Sequence, residues 1–161
     1  MNIYWQEKRL EPDHTFGSGA KCISVKTRDM AGILRINFAD INPARAILET
    51  SEGSYYTFIG STNSQLQALH NDTEILSVLG SPHLGQIEIR FHEAAEEQNQ
   101  GLWLGYDRGL EKLVVSGFGQ ATAGLQELNF SPSSGQIALP KILSEMQALL
   151  VICVLHLFHC E

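Results

Sequence analysis

Cysteine is scarce in this chain. Cys22, Cys153 and Cys160 are the three cysteines in 161 residues, and their spacing is irregular. That is not the even, regular pattern of a disulfide framework. The opening Met-Asn-Ile-Tyr-Trp-Gln-Glu-Lys-Arg lacks the basic-then-apolar layout of a secretory leader. Both features point to a reducing, cytoplasmic compartment, peripheral to a membrane at most. In that setting the Asn-x-Ser/Thr tripeptides at Asn71 and Asn129 are chance matches.

Charge is also sparse. Charged residues make up 18% of the chain, below the usual level of about 25%. The net charge is −7. Such a field disfavours nonspecific attraction to nucleic acid or to anionic lipid. The imbalance is uneven. Residues 1–45 carry seven bases against five acids, and the remainder carries four against thirteen. Bases that could meet an anionic partner are therefore concentrated in the first third.

Long apolar runs are missing too. The uninterrupted one is Ala148 to Leu155, eight residues. A bilayer span needs about twenty predominantly apolar residues, so this length suits a buried core helix better. Catalytic signatures are equally absent. There is no Gly-x-Ser-x-Gly elbow. Gly117-Phe-Gly119-Gln-Ala-Thr-Ala-Gly124 is like a dinucleotide fingerprint only on the surface. Its third glycine is misplaced and no βαβ unit follows. We therefore expect no enzymatic activity, no cofactor and no metal.

What is present is a series of short strand-like runs punctuated by turn residues. They begin with Asn2–Glu7, Lys21–Arg28, Ile33–Phe38, Ala44–Thr50 and Ser54–Ile59. Gln65–Leu69 is either a strand or a helical turn. Glu74–Leu79, Gly85–His92, Leu102–Tyr106, Leu110–Ser116, Gly124–Phe130 and Gln136–Leu139 follow. In Gly85–His92, Ile87, Ile89 and Phe91 alternate with Glu88, Arg90 and His92, so the first three are expected inside. Met30-Ala-Gly32 is read as a turn, and Gly80-Ser-Pro82 as a strand stop. Glu93–Gln100 is read as a solvated loop or one helical turn. A dozen candidates at roughly ten-residue spacing argue for an all-β sandwich or barrel. Length and composition suit one domain over 1–161.

Only the last stretch reads as a long helix. Pro140 suits a first helical position, and Glu145 lies near the positive end of the helix dipole. The helix is expected over 140–158. A helix apolar all round must be buried, and a barrel formed by the strands within 2–139 would bury it. The expected fold is mainly β: a closed antiparallel barrel of about twelve strands around a buried C-terminal hydrophobic α-helix.

This layout resembles the tubby C-terminal-like superfamily, which includes the phospholipid scramblases and the LURP-one-related proteins. The tail Leu139-Pro-Lys-Ile-Leu-Ser-Glu-Met-Gln-Ala-Leu-Leu-Val-Ile-Cys-Val-Leu-His-Leu-Phe-His-Cys-Glu is similar to the scramblase ending. It has a polar first turn, a branched apolar centre with Cys, then an aromatic and a final acid. The resemblance implies a closed twelve-stranded barrel with the helix threaded through it. It also implies a binding module, since tubby proteins hold phosphoinositide headgroups on a basic surface.

Candidate site residues are few. Lys26 and Arg28 are two apart and share a strand face. Arg35 would stand beside them across the turn expected at Met30–Gly32. Lys26, Arg28 and Arg35 together could hold a phosphate by charge-assisted hydrogen bonds. The plainer reading is a solvated strand face. His156-x-x-His159-Cys160-Glu161 is metal-capable, but it reads as the polar end of a buried helix at a barrel mouth. Glu88 with Glu93, and Glu96 with Glu97, read as solvated carboxylates.

The function expected is a noncatalytic binding or scaffold module. Its partner would be a phosphoinositide or other anionic lipid headgroup, or a protein. One alternative is a C-terminally tail-anchored membrane protein of scramblase type. Another is a small-ligand-binding barrel or enzyme with a pocket in the barrel mouth.

Overall fold

The computed structural model describes residues 1–8, 20–37, 45–60, 66–81, 85–92, 103–116 and 126–159. The stretches Glu93–Gln100 and Gly117–Gly124, with Cys160 and Glu161, lie outside the described residues.

Twelve strands are present, as the spacing of turn residues suggested. They are β1 (Asn2–Lys8), β2 (Ala20–Lys26), β3 (Ala31–Asn37), β4 (Arg45–Thr50), β5 (Tyr55–Gly60) and β6 (Leu66–His70), then β7 (Thr73–Ser81), β8 (Gln86–Phe91), β9 (Trp103–Asp107), β10 (Lys112–Ser116), β11 (Gln126–Asn129) and β12 (Gln136–Ala138). One sheet holds them all. From β1 to β11 each strand pairs antiparallel with its sequence neighbour, and β12 returns to pair with β1. The ends of the sheet, β11 and β12, are joined by residues 130–135. Three hydrogen bonds seat that link. The Trp5 backbone N–H donates to Gly135 O at 3.0 Å, and its indole Nε1–H donates to Pro132 O at 2.8 Å. Phe130 N–H donates to Glu111 O at 3.0 Å. The result is a nearly closed antiparallel barrel.

Alternation sets the two faces. In β8 the odd residues Ile87, Ile89 and Phe91 are buried, and Gln86, Glu88 and Arg90 are exposed, as the sequence pattern predicts. The same alternation buries Ile23 and Val25 on β2, Leu34 and Ile36 on β3, and Leu104 and Tyr106 on β9. These inward rows meet α1 (Glu145–His159). Nine consecutive residues of α1, Ala148 to His156, are buried. A helix buried on every side over more than two turns must be surrounded, so α1 fills the barrel.

Three of the element boundaries that differ from expectation have a physical reason in the structure. First, the helix begins at Glu145, not at Pro140. Residues 140–143 form a turn, with Leu143 N–H donating to Pro140 O at 3.3 Å. The start is a capping box. Gln147 N–H donates to Ser144 Oγ at 3.1 Å, and Ser144 N–H donates to Gln147 Oε1 at 2.9 Å. Two orphan donors are satisfied reciprocally, which fixes Ser144 as the N-cap. Second, the turn between β2 and β3 is Thr27–Met30. Thr27 N–H donates to Met30 O at 2.7 Å, and Met30 N–H donates to Thr27 Oγ1 at 3.0 Å. Ala31 and Gly32 are already paired in β3. Third, β7 runs through Gly80 to Ser81. A Cβ at Gly80 would lie 2.6 Å from Ile87 Cγ2 and 2.9 Å from Gln86 O. This glycine admits the close approach of β8 and does not stop the strand.

Candidate functional site

Since α1 occupies the barrel, its outer wall and its ends are where other molecules can reach. Odd residues of β8 and even residues of β9 face inward, so their alternates form rows across the outer wall. One row crosses five strands as Leu79, Glu88, Gly105, Val114 and Glu127, each opposite the next in register. The adjoining row carries Gln86, Asp107 and Lys112.

Gly105 sits in the middle of the first row. Its pairing is regular strand pairing with Glu88 and Val114. A Cβ added there would meet no atom within 4 Å. Neither backbone geometry nor crowding demands a glycine at this position. Its effect is to leave a dip in the wall. A groove of about 610 Å³ lies over that dip, lined by Leu79, Glu88, Val114 and Glu127 with Asp107, Leu110 and Lys112.

The groove is acidic with apolar sides. Asp107 Oδ1 accepts Leu110 N–H at 3.1 Å, and its Oδ2 accepts from Gln86 Nε2 at 3.2 Å. These bonds, that from Leu110 first, hold its carboxyl below the usual range, so it is ionised at neutral pH. Lys112 Nζ lies 3.3 Å from Glu127 Oε1, an exposed pair of little energetic weight. Glu88 has no ion-pair or hydrogen-bond partner among the described residues. Three carboxylates thus face one ammonium. Leu79 and Leu110 are 46% and 69% exposed, unusually high for large aliphatics.

The predicted basic residues fall elsewhere. Lys26 is opposite Ala31, whereas Arg35 is opposite Cys22. Arg35 is thus four residues further along β3, about 13 Å at 3.3 Å per residue. The register does not bring it to Lys26. Its Nη1 lies 3.6 Å from Glu49 Oε2. Lys26 ends β2 and Arg28 lies in the Thr27–Met30 turn, and both are exposed. Glu88 projects outward as expected, while Glu93, Glu96 and Glu97 lie outside the described residues.

The C-terminal end of α1 carries an aromatic and histidine cluster. His156 is 4% exposed, and its Nε2 has no hydrogen-bond partner among the described residues. Trp5 and Phe130 stand edge-on to its ring at 5.3 and 5.6 Å. Burial, then the charge of Lys21, pushes its pKa down to about 4. His159 Nε2 is 2.7 Å from Tyr106 Oη, and that hydroxyl donates to Phe130 O at 3.1 Å. The direction of the Tyr106–His159 bond depends on the imidazole tautomer. Burial, then Glu111, raises the Tyr106 pKa to about 12. Burial, then Arg108, lowers that of His159. The cluster locks the helix end to the wall at β9. Among the described residues no three His, Cys, Asp or Glu side chains are grouped so as to hold a metal ion.

The groove was not read from the sequence. A lone glycine inside the strand-like run Leu102-Trp-Leu-Gly-Tyr was the available signal, since such a glycine often marks a close backbone approach. No family model, no curated protein and no solved structure matches this chain.

Proposed function

We propose that this chain is a noncatalytic binding module of tubby-like type that engages a protein partner with the outer wall of its barrel. The observation that carries this reading is the buried run of α1. Ala148 to His156 occupy the space that a ligand-carrying barrel keeps open. Twelve antiparallel strands around a C-terminal helix are the architecture that the tubby-like resemblance implies, which supports that family relation.

The choice of a protein over an anionic lipid follows from charge. The net charge of −7 opposes approach to an anionic surface. The register separates Arg35 from Lys26, and Asp29 follows Arg28 in the chain. No helix of the described residues is long and apolar enough to cross a membrane.

Two measurements test the reading. Titration with a fluorescent long-chain fatty acid should show no saturable uptake. Saturable uptake that a Leu149→Ala cavity enlarges would place the ligand inside the barrel and overturn the outer-wall reading. Co-sedimentation with phosphatidylcholine vesicles containing phosphatidylinositol bisphosphate should leave the chain in the supernatant. Vesicle binding abolished by Lys26→Glu with Arg28→Glu would overturn the choice of a protein partner.

A further inference from the structure

The groove over Gly105 has the chemistry of a recognition site for one kind of peptide. Its rim is anionic, with Glu88, Asp107 and Glu127 against Lys112. The chain beyond residue 45 carries thirteen acids against four bases, so the long-range field favours the same sign of partner. Glu88 is the carboxylate without a partner among the described residues. Leu79, Leu110 and Val114 supply apolar contact, and the missing side chain at Gly105 leaves depth for an incoming one. A volume of about 610 Å³ lies within the range of about 300–1,000 Å³ typical of sites for small ligands. It suits a few residues, not a folded domain.

The spacing narrows the occupant further. Glu88 and Glu127 lie on β8 and β11, three strand spacings apart through Gly105 and Val114. At about 4.8 Å per strand that is about 14 Å. In an extended peptide, residues i, i+2 and i+4 point to one side, and i to i+4 spans about 13.6 Å. An extended segment laid across the strands would therefore set basic side chains at i and i+4 over Glu88 and Glu127. The side chain at i+2 would fall between them, over Gly105 and Val114.

We infer that this groove docks an extended segment of a protein partner with the pattern basic-x-apolar-x-basic. This inference rests on the outer-wall reading above.

The test uses the full chain and fluorescence polarisation of the labelled peptide Gly-Arg-Ser-Leu-Ser-Arg-Gly. Two control peptides accompany it, one with Glu in place of both Arg and one with the two Arg three residues apart. Saturable binding of the first peptide alone is expected, weakened by added salt. Gly105→Val should fill the dip and Glu88→Lys should reverse one of the two anchoring charges, each weakening binding by about tenfold or more. The thermal midpoint of Gly105→Val should not fall, because its Cβ meets no atom within 4 Å and valine suits a strand. Glu52→Lys, in the β4–β5 turn, makes the same net charge change and should leave binding intact.

No saturable binding of the first peptide would overturn the inference. So would equal binding of the acidic peptide, or equal weakening by Glu52→Lys and Glu88→Lys. Peptide binding that survives both groove variants would overturn the groove while leaving the outer-wall reading in place. Failure of that reading shows separately, as fatty-acid uptake inside the barrel.

Discussion

His156 is the residue whose environment is most at odds with its chemistry. An imidazole is buried edge-on to Trp5 and Phe130 with Nε2 unpartnered among the described residues. Above pH 6.5 it is neutral in both folded and unfolded chains, so its full stability is kept. Between pH 6.5 and its folded pKa of about 4, only the unfolded chain binds the proton. Stability therefore falls with pH across that window, by about 3 kcal/mol in all. His159 is shifted the same way and adds to the fall. Urea denaturation at several pH values should show this slope. His156→Leu should flatten it without lowering stability at pH 8. A wild-type slope retained in that variant would assign the effect to other groups. The sequence placed this histidine at a polar helix end emerging from the barrel. It is buried because the wall's aromatics extend one turn further than the apolar run of α1 does.

At the scale of the element, α1 shows how a boundary is decided. Pro140 and Ser144 both carry helix-start signals. The reciprocal bonds of Ser144 and Gln147 settle it in favour of the later one. A second tie anchors the same end, where Asp29 N–H donates to Glu145 Oε1 at 3.3 Å. Ser144→Ala should cost about 1 kcal/mol, read as a lower urea midpoint at unchanged slope, and Ser144→Asp should restore most of it. An unchanged midpoint for the alanine variant would mean that tertiary packing alone sets the start. The apolar part of the helix was legible because eight consecutive apolar residues admit no exposed face. Its first turn was not, because the Ser-x-x-Gln signal stands behind a proline that mimics an N-terminus. Gly80 presents the same difficulty in a strand. A glycine beside Ser-Pro reads as a stop, and only the proximity of Ile87 reveals a packing requirement.

For the whole molecule, the helix and the barrel depend on one another. Six large aliphatic residues of α1 are buried: Leu149, Leu150, Val151, Ile152, Val154 and Leu155. At about 1.5–3 kcal/mol each, they are worth as much as the entire net stability of a typical domain, about 5–15 kcal/mol. A chain ending at Leu139 should therefore aggregate or show no cooperative unfolding, while the full chain is compact on gel filtration. A truncated chain that is monomeric and melts cooperatively would show that the barrel stands without its filling. The same interdependence moves function outward, because a filled barrel can meet partners only with its wall and ends.

Local pattern was enough to mark about a dozen strand-prone runs, the inward row of β8 and the buried helix. Each of these follows from side-chain alternation, turn chemistry and the need to cover an apolar surface, all written along the chain. The groove and the dispersal of the basic trio were decided only in three dimensions. Leu79, Glu88, Gly105, Val114 and Glu127 span nearly fifty residues of sequence, and they meet because five strands pair in one register. Arg35 and Lys26 are only nine residues apart, yet a turn earlier than the one expected sets them four residues out of step. Register is a relation between strands, and a shift of one residue exchanges which side chains face each other while leaving the pattern within each strand unchanged.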